Sequence, residues 1–214
     1  MDIVRAAGSG GPLLVLAHGA GAGSGHPWIR RVALELAERA ISVVTFDFPY
    51  ISEKRRVPDR GPVLEQAYQA AWSEALGLAK SAGNDPGACF AGGKSMGGRI
   101  ASQVAARGGF EPAVTGLVFF GYPLHPPGKP EQRRDKHLPD VRAPMLFVHG
   151  TRDPFGTPDE FADLLGQLPN ADIHSVVGSD HSLMAPKKSS HPDASFDRAL
   201  DVVAAWIHRV ADSH

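Results

Sequence analysis

The chain has 214 residues, 43% of them hydrophobic, and sets 22 basic against 23 acidic side chains. That is enough apolar material for one sizeable core, and the charge balance gives no reason to expect a nucleic acid or a membrane surface as partner. A single cysteine excludes an internal disulfide, the N-terminal MDIVRAAGSGG lacks the apolar run of a signal peptide, and no stretch approaches the ~18 apolar residues of a membrane span. The expectation is a cytoplasmic protein with a single domain over residues 1–214.

In chain order, the first buried strand is LLVLA (13–17), followed by the glycine-rich turn GAGAGSG (19–25) and a helix marked by Ile29, Val32, Ala33 and Leu36. ISVVTF (41–46) is the second strand. A polar loop (49–61) and a helix from Pro62 to Ala82 come next. ACFA (88–91) is a short buried strand, with a helical pattern resuming at Ile100 and Val104. VTGLVFF (114–120) and MLFVHG (145–150) bracket a second long polar loop (122–142). Thr157-Pro158-Asp159-Glu160 reads as a capping box with proline at the first helical position, and Phe161, Leu164, Leu165 and Leu168 form its apolar face. DIHSVV (172–177) alternates, as an edge strand does, and Phe196, Leu200, Val203, Ile207 and Val210 form the stripe of a last helix. Near-continuous apolar strands alternating with helices predict an α/β fold: a doubly wound, mostly parallel sheet of about six or seven strands with helices on both faces.

The stretch GGKSMGGR (92–99) admits two chemistries. A phosphate-binding loop requires a glycine five residues before Gly93, but position 88 is Ala88, and residues 88–91 are the strand itself. The turn at 19–25 likewise misses the G-x-G-x-x-G spacing of a dinucleotide site. Read as G-x-S-x-G, the stretch is a sharp strand-to-helix turn that exposes Ser95, with Gly93 and Gly97 permitting close backbone approach. Serine is a weak nucleophile without a base, and partners follow in the order acid, then histidine. Asp153 lies in the loop after MLFVHG, and His181 in the loop after DIHSVV. His181 is then the base, and Asp153 the acid that orients it. Asp180 and Asp47 are the competing acids. The oxyanion of an acyl-transfer intermediate needs two backbone N–H donors. Met96, following the nucleophile, is one; Ala20, with Gly21 as second choice, is the other.

These phrases, with AHGAGAG (17–23), FDFPY (46–50), GYPLHPPGKPE (121–131) and GSDHSL (178–183), resemble the α/β-hydrolases. They are most similar to the small dienelactone-hydrolase-like type, in the group with the testis-expressed hydrolase-like protein and the third subunit of the NSL complex. The resemblance runs from about residue 12 to 207 and assigns Ser95, Asp153 and His181 as nucleophile, acid and base. At 214 residues a large lid domain is not expected, which predicts a fairly open site.

The reaction expected is hydrolysis of an ester or related acyl bond through an acyl-serine, on a small-molecule acyl substrate. It requires no cofactor and no metal, and the histidines show no metal-ligand spacing such as H-E-x-x-H. Cys89 reads as core. Tyr50, Tyr122, Arg133 and Arg134 in the two long loops are the candidate substrate-binding residues, the arginines for an anionic acyl group. The alternative is a non-catalytic interaction module that keeps the fold without turnover. Lys94 has no role that the sequence explains.

Overall fold

A computed structural model of the chain describes residues 1–7, 10–83, 85–184 and 194–213. Its strands are β1 (Asp2–Val4), β2 (Leu13–Ala17), β3 (Ser42–Phe46), β4 (Cys89–Lys94), β5 (Gly116–Phe120), β6 (Met145–Gly150) and β7 (Ala171–Val176). The helices are α1 (Pro27–Glu38), α2 (Pro49–Ser52), α3 (Gly61–Ser81), α4 (Met96–Ala106), α5 (Pro158–Leu165) and α6 (Ala194–Ala211). The strands form one sheet in the order β1-β3-β2-β4-β5-β6-β7, parallel throughout except for β1, which pairs antiparallel with β3. Six strands and five of the helices match the expected pattern. β1 is an addition, since three residues carry no readable periodicity, and α2 is one turn of helix at the head of the first polar loop.

The period of two along each strand explains the layers. Leu13, Val15 and Ala17 of β2 face α3 and α4 with Ala91, Leu117, Phe119 and Phe147, whereas Leu14 and Leu16 face α1 and α6 with Phe90, Val118, Phe120 and Val148. β7 lies at the sheet edge and is only half-buried, as its alternation implied. The capping box is made as expected: Glu160 N donates to Thr157 Oγ1 at 3.3 Å, and Thr157 N donates to Glu160 Oε2 at 2.9 Å. The helix stops at Leu165, and Leu168 is buried one turn beyond it.

The strand order positions the site. From β2 the chain moves outward to β3, then returns to β4 on the opposite side of β2 and proceeds through β5 to β7. The carboxyl ends of β2 and β4 therefore flank the switch point, the place where open α/β sheets bind ligands. Close packing there depends on glycine. A Cβ on Gly93 would fall 2.6 Å from Gly97 C, and one on Gly97 would fall 2.6 Å from His18 O and 2.7 Å from Ala17 O. Those neighbours are backbone atoms of α4 and of the end of β2 and cannot swing aside. Gly97→Ala is expected to destabilise the fold by about 1–3 kcal/mol, measured as a lower midpoint of urea unfolding.

Candidate active site

Ser95 follows the last residue of β4 and caps α4 with φ 52° and ψ −115°, a conformation that costs a non-glycine residue about 1–3 kcal/mol. The surrounding chain over-determines it. Ser95 N donates to Phe120 O at 3.0 Å, its carbonyl accepts from Arg99 N at 3.1 Å, and Gly19 lies alongside, where a Cβ would be in van der Waals contact with Ser95 Cβ. Met96 is the first residue of α4, so its N–H is one of the donors that a helix leaves without an internal partner.

Asp153 and His181 arrive from the loops after β6 and β7. His181 Nδ1 donates to Asp153 Oδ2 at 2.7 Å, and Phe155 N donates to the other carboxylate oxygen at 2.9 Å. The Asp153 side chain has no exposed surface. Burial opposes its charge, but the hydrogen bond from His181, aided by His149, outweighs that and holds the carboxyl below its ordinary value. The His181 ring is held between Phe155, whose ring centre is 4.3 Å away, and Gly121, where an added Cβ would be 3.2 Å from Nδ1. Gly121 follows Phe120, whose carbonyl accepts from Ser95 N, so Ser95 and the His181 ring both border the carboxyl end of β5. Among the described residues the Ser95 hydroxyl makes no hydrogen bond with the His181 ring. The competing acids are engaged elsewhere. Asp180 accepts from Ser182 N and Oγ at 2.8 and 2.7 Å, and Asp47 accepts from Ser24 N at 2.6 Å.

The glycine turn beside Ser95 is braced from below. His18 is fully buried; its Nδ1–H donates to Gly19 O at 2.7 Å and its Nε2 accepts from Phe48 N at 3.1 Å. Burial pushes its pKa down, so the ring is neutral and those two bonds define its tautomer. Ala20 and Gly21 lie exposed at the crest. Among the described residues neither amide donates to a backbone acceptor.

Two expectations for the long loops are corrected. Tyr50 and Tyr122 have 0% and 1% of their surface exposed and are not walls of the site. The Tyr50 hydroxyl lies 3.1 Å from Ala20 O and 3.3 Å from Gly19 O, bracing the turn. Tyr122 donates to Arg134 O at 3.1 Å, which pins the second loop. Arg133 is ion-paired with Asp135 and, at 3.0 Å, with Glu160, so its charge is already compensated. Arg134 is half-buried and forms no ion pair among the described residues.

A second serine–histidine contact, Ser102 Oγ to His137 Nε2 at 2.8 Å, has the elements of a nucleophile–base pair. Its surroundings argue for a structural role. Ser102 is fully buried in the middle of α4 and donates its proton to Arg99 O at 2.8 Å. Burial and the nearby Arg99 push His137 down to about 4, so it is neutral at pH 7. The pair ties the second loop to α4.

A groove of 710 Å³ lined by Ala106, Arg107, Phe110, Val114 and Arg142 lies at the start of β5 and β6, the opposite end of the sheet from Ser95. Among the described residues no cluster of three or more His, Cys, Asp or Glu could hold a metal ion, and no helix is long and apolar enough to cross a membrane.

Against known families, the model of the alpha/beta hydrolase domain matches residues 11–208. The chain belongs to this family. Among solved structures, this alpha/beta hydrolase is similar to a dienelactone hydrolase from Anabaena variabilis, at 21% identity and TM-score 0.72, covering 97% of this chain and 89% of the other. It is also similar to esterase 2 from Thermogutta terrifontis, phosphoramylated by tabun, at 16% identity and TM-score 0.72 over 97% and 88% of the two chains. Est1E from Butyrivibrio proteoclasticus, with ferulic acid bound, shares 14% identity and a TM-score of 0.69 over 97% and 94%. At these identities the likeness is one of fold.

Proposed function

We propose that this alpha/beta hydrolase is a serine esterase or thioesterase. Ser95 attacks the acyl carbonyl while His181 takes its proton and passes it to the departing alcohol or thiol. The neutral His181 then deprotonates a water that releases the acid from the acyl-serine, and Asp153 holds the imidazole tautomer and stabilises its charge. The observation that carries this reading is the 2.7 Å bond from His181 Nδ1 to the buried Asp153 carboxylate, formed beside the strained turn that presents Ser95. A bond from Nδ1–H leaves Nε2 as the free base. In the proposed reaction the bond between Ser95 Oγ and His181 Nε2 tightens when substrate binds. Met96 N–H and the uncommitted amides of Ala20 and Gly21 are the proposed oxyanion donors.

The phrases AHGAGAG and GGKSMGGR support a closer place beside the testis-expressed hydrolase-like protein and the NSL third subunit. The charge balance and single cysteine support a cytoplasmic setting for a small acyl substrate. Turnover of acyl esters and thioesters of graded length and charge tests the function, with Ser95→Ala as control. A folded protein that turns over none of them returns the chain to the interaction-module reading. With Arg133 compensated by two acids, recognition of an anionic acyl group rests on Arg134. Arg134→Gln is expected to raise KM several-fold, about 3- to 10-fold, for esters bearing a carboxylate and to leave neutral esters unchanged. Equal effects on both would remove Arg134 from substrate binding.

A further inference from the structure

Lys94 stands at the end of β4, immediately before Ser95, and its ammonium turns toward the histidine loop. Nζ donates to the main-chain carbonyl of His181 at 2.5 Å. It also lies 5.8 Å from the centre of the Trp28 ring, above Gly121, where an added Cβ would be 2.9 Å from it. Trp28, in the first turn of α1, donates its indole N–H to the carbonyl of the next residue, Ser182, at 2.9 Å. Two successive carbonyls of the loop are therefore held by donors from two separate elements. The indole is itself fixed edge-on against Phe120 at 5.4 Å and packs on Phe196 at 5.6 Å.

We propose that Lys94 is a positioning residue for the base: together with Trp28 it clamps the His181–Ser182 main chain so that the imidazole stays between Asp153 and Ser95. The inference rests on the serine-hydrolase reading above. The bond to Asp153 and the flanking Phe155 and Gly121 orient the ring, but the main chain that carries it is held by neither. Lys94 and Trp28 fix that main chain, and small misplacements of a base are costly in rate. An ammonium-to-carbonyl bond is charge-assisted and short, which suits this task better than a neutral donor.

The groups facing Lys94 are Asp153 from the loop after β6, Asp180 and His181 from the loop after β7, and His149 within β6. Burial pushes the amine down to about 8, and the two aspartates partly oppose that shift. A folded-state value below the ordinary lysine value means that the charge opposes folding below about pH 8, an opposition that fades as pH rises. A side chain kept only for stability gains nothing from such a charge.

The test measures kcat, KM and the rate of labelling by a fluorophosphonate between about pH 6 and 10 for the unaltered protein, Lys94→Met, Lys94→Arg and Trp28→Phe. Lys94→Met is expected to lower kcat and the labelling rate by about 10-fold or more with KM within about two-fold, and Lys94→Arg to recover part of the loss. The unaltered protein should lose kcat as pH rises through about 8, a limb absent from Lys94→Met. Lys94→Met with unaltered kcat, labelling and pH profile overturns the proposal. Should Lys94→Met fail to fold, Trp28→Phe decides, because it keeps an aromatic side chain at the position and removes the indole donor; unchanged kcat and labelling in that variant overturn the clamp. Absence of labelling in the unaltered protein defeats the hydrolase reading itself, whereas equal labelling of all variants defeats the clamp alone.

Discussion

Replacing Ser95 with alanine is expected to lower kcat for an acyl ester by about 10,000-fold or more, with the melting temperature little changed. The size follows from the site's construction. Ser95 is the hydroxyl presented at the strained end of β4, beside the carboxyl end of β2, and a folded chain without it has no nucleophile there. The fold should tolerate the change because the strain belongs to the backbone, held by Ser95 N to Phe120 O and by Arg99 N to Ser95 O, and alanine keeps both bonds. Steady-state hydrolysis of an activated ester, with circular dichroism as the control for folding, reads both halves of this expectation. A folded Ser95→Ala variant retaining more than about 10% of the rate would mean that the hydroxyl is not the attacking group.

The second large effect is expected at Asp153. In Asp153→Asn the side chain remains nearly isosteric, but an amide facing Nδ1 favours the tautomer that carries its proton on Nε2, and Nε2 is then no longer a base. A loss in kcat of about 1,000- to 10,000-fold with little change in KM is the expected outcome. The substitution also has a signature in stability. The Asp153 carboxyl is held below its ordinary value, so its ionised form contributes stability above the unfolded carboxylate value, and that contribution is lost as pH falls through the folded value. The stability difference between the unaltered protein and Asp153→Asn should therefore be full at pH 7 and shrink toward strongly acidic pH. Urea unfolding at several pH values measures it; a difference that grows on acidification contradicts the assigned charge state.

How far the amino-acid sequence reveals this arrangement depends on the range of the contacts involved. β2, β3, β4, β5 and β6 are short apolar runs buried on both faces, and composition alone separates them from the helices. Asp153 is recognisable because a polar Thr-Arg-Asp-Pro follows a buried strand, and His181 because Gly-Ser-Asp-His does the same. Serine, acid and histidine in that order along the chain are the one-dimensional trace of the proposed triad, of which the Asp153–His181 bond is formed at the carboxyl end of the sheet. β1 is different: three residues pairing antiparallel with β3 leave no such trace.

The loop residues are where side-chain type misleads. Tyr50 and Tyr122 look like the amphipathic walls of a binding cleft, but each hydroxyl finds a backbone carbonyl, which makes complete burial affordable. Nothing in the local pattern distinguishes a tyrosine turned inward from one turned toward substrate. Arg133 looks free until Glu160, 27 positions away on α5, is seen to reach it. The clamp is the extreme case. Trp28 and Ser182 are 154 residues apart, and Lys94 sits 87 residues from the carbonyl it binds. A single sequence holds no signal for either contact. The turn around Ser95 is legible because its constraints are local; the restraint on His181 is not, because it comes from α1 and β4 at once.

The most direct measurement is mass spectrometry of the intact protein after exposure to a fluorophosphonate, followed by mapping of the modified peptide. One adduct per chain, on Ser95, suppressed by an ester substrate and absent from Ser95→Ala and His181→Ala, is the predicted result. A folded protein that takes up no adduct, or one modified at Ser102 beside His137, contradicts the account.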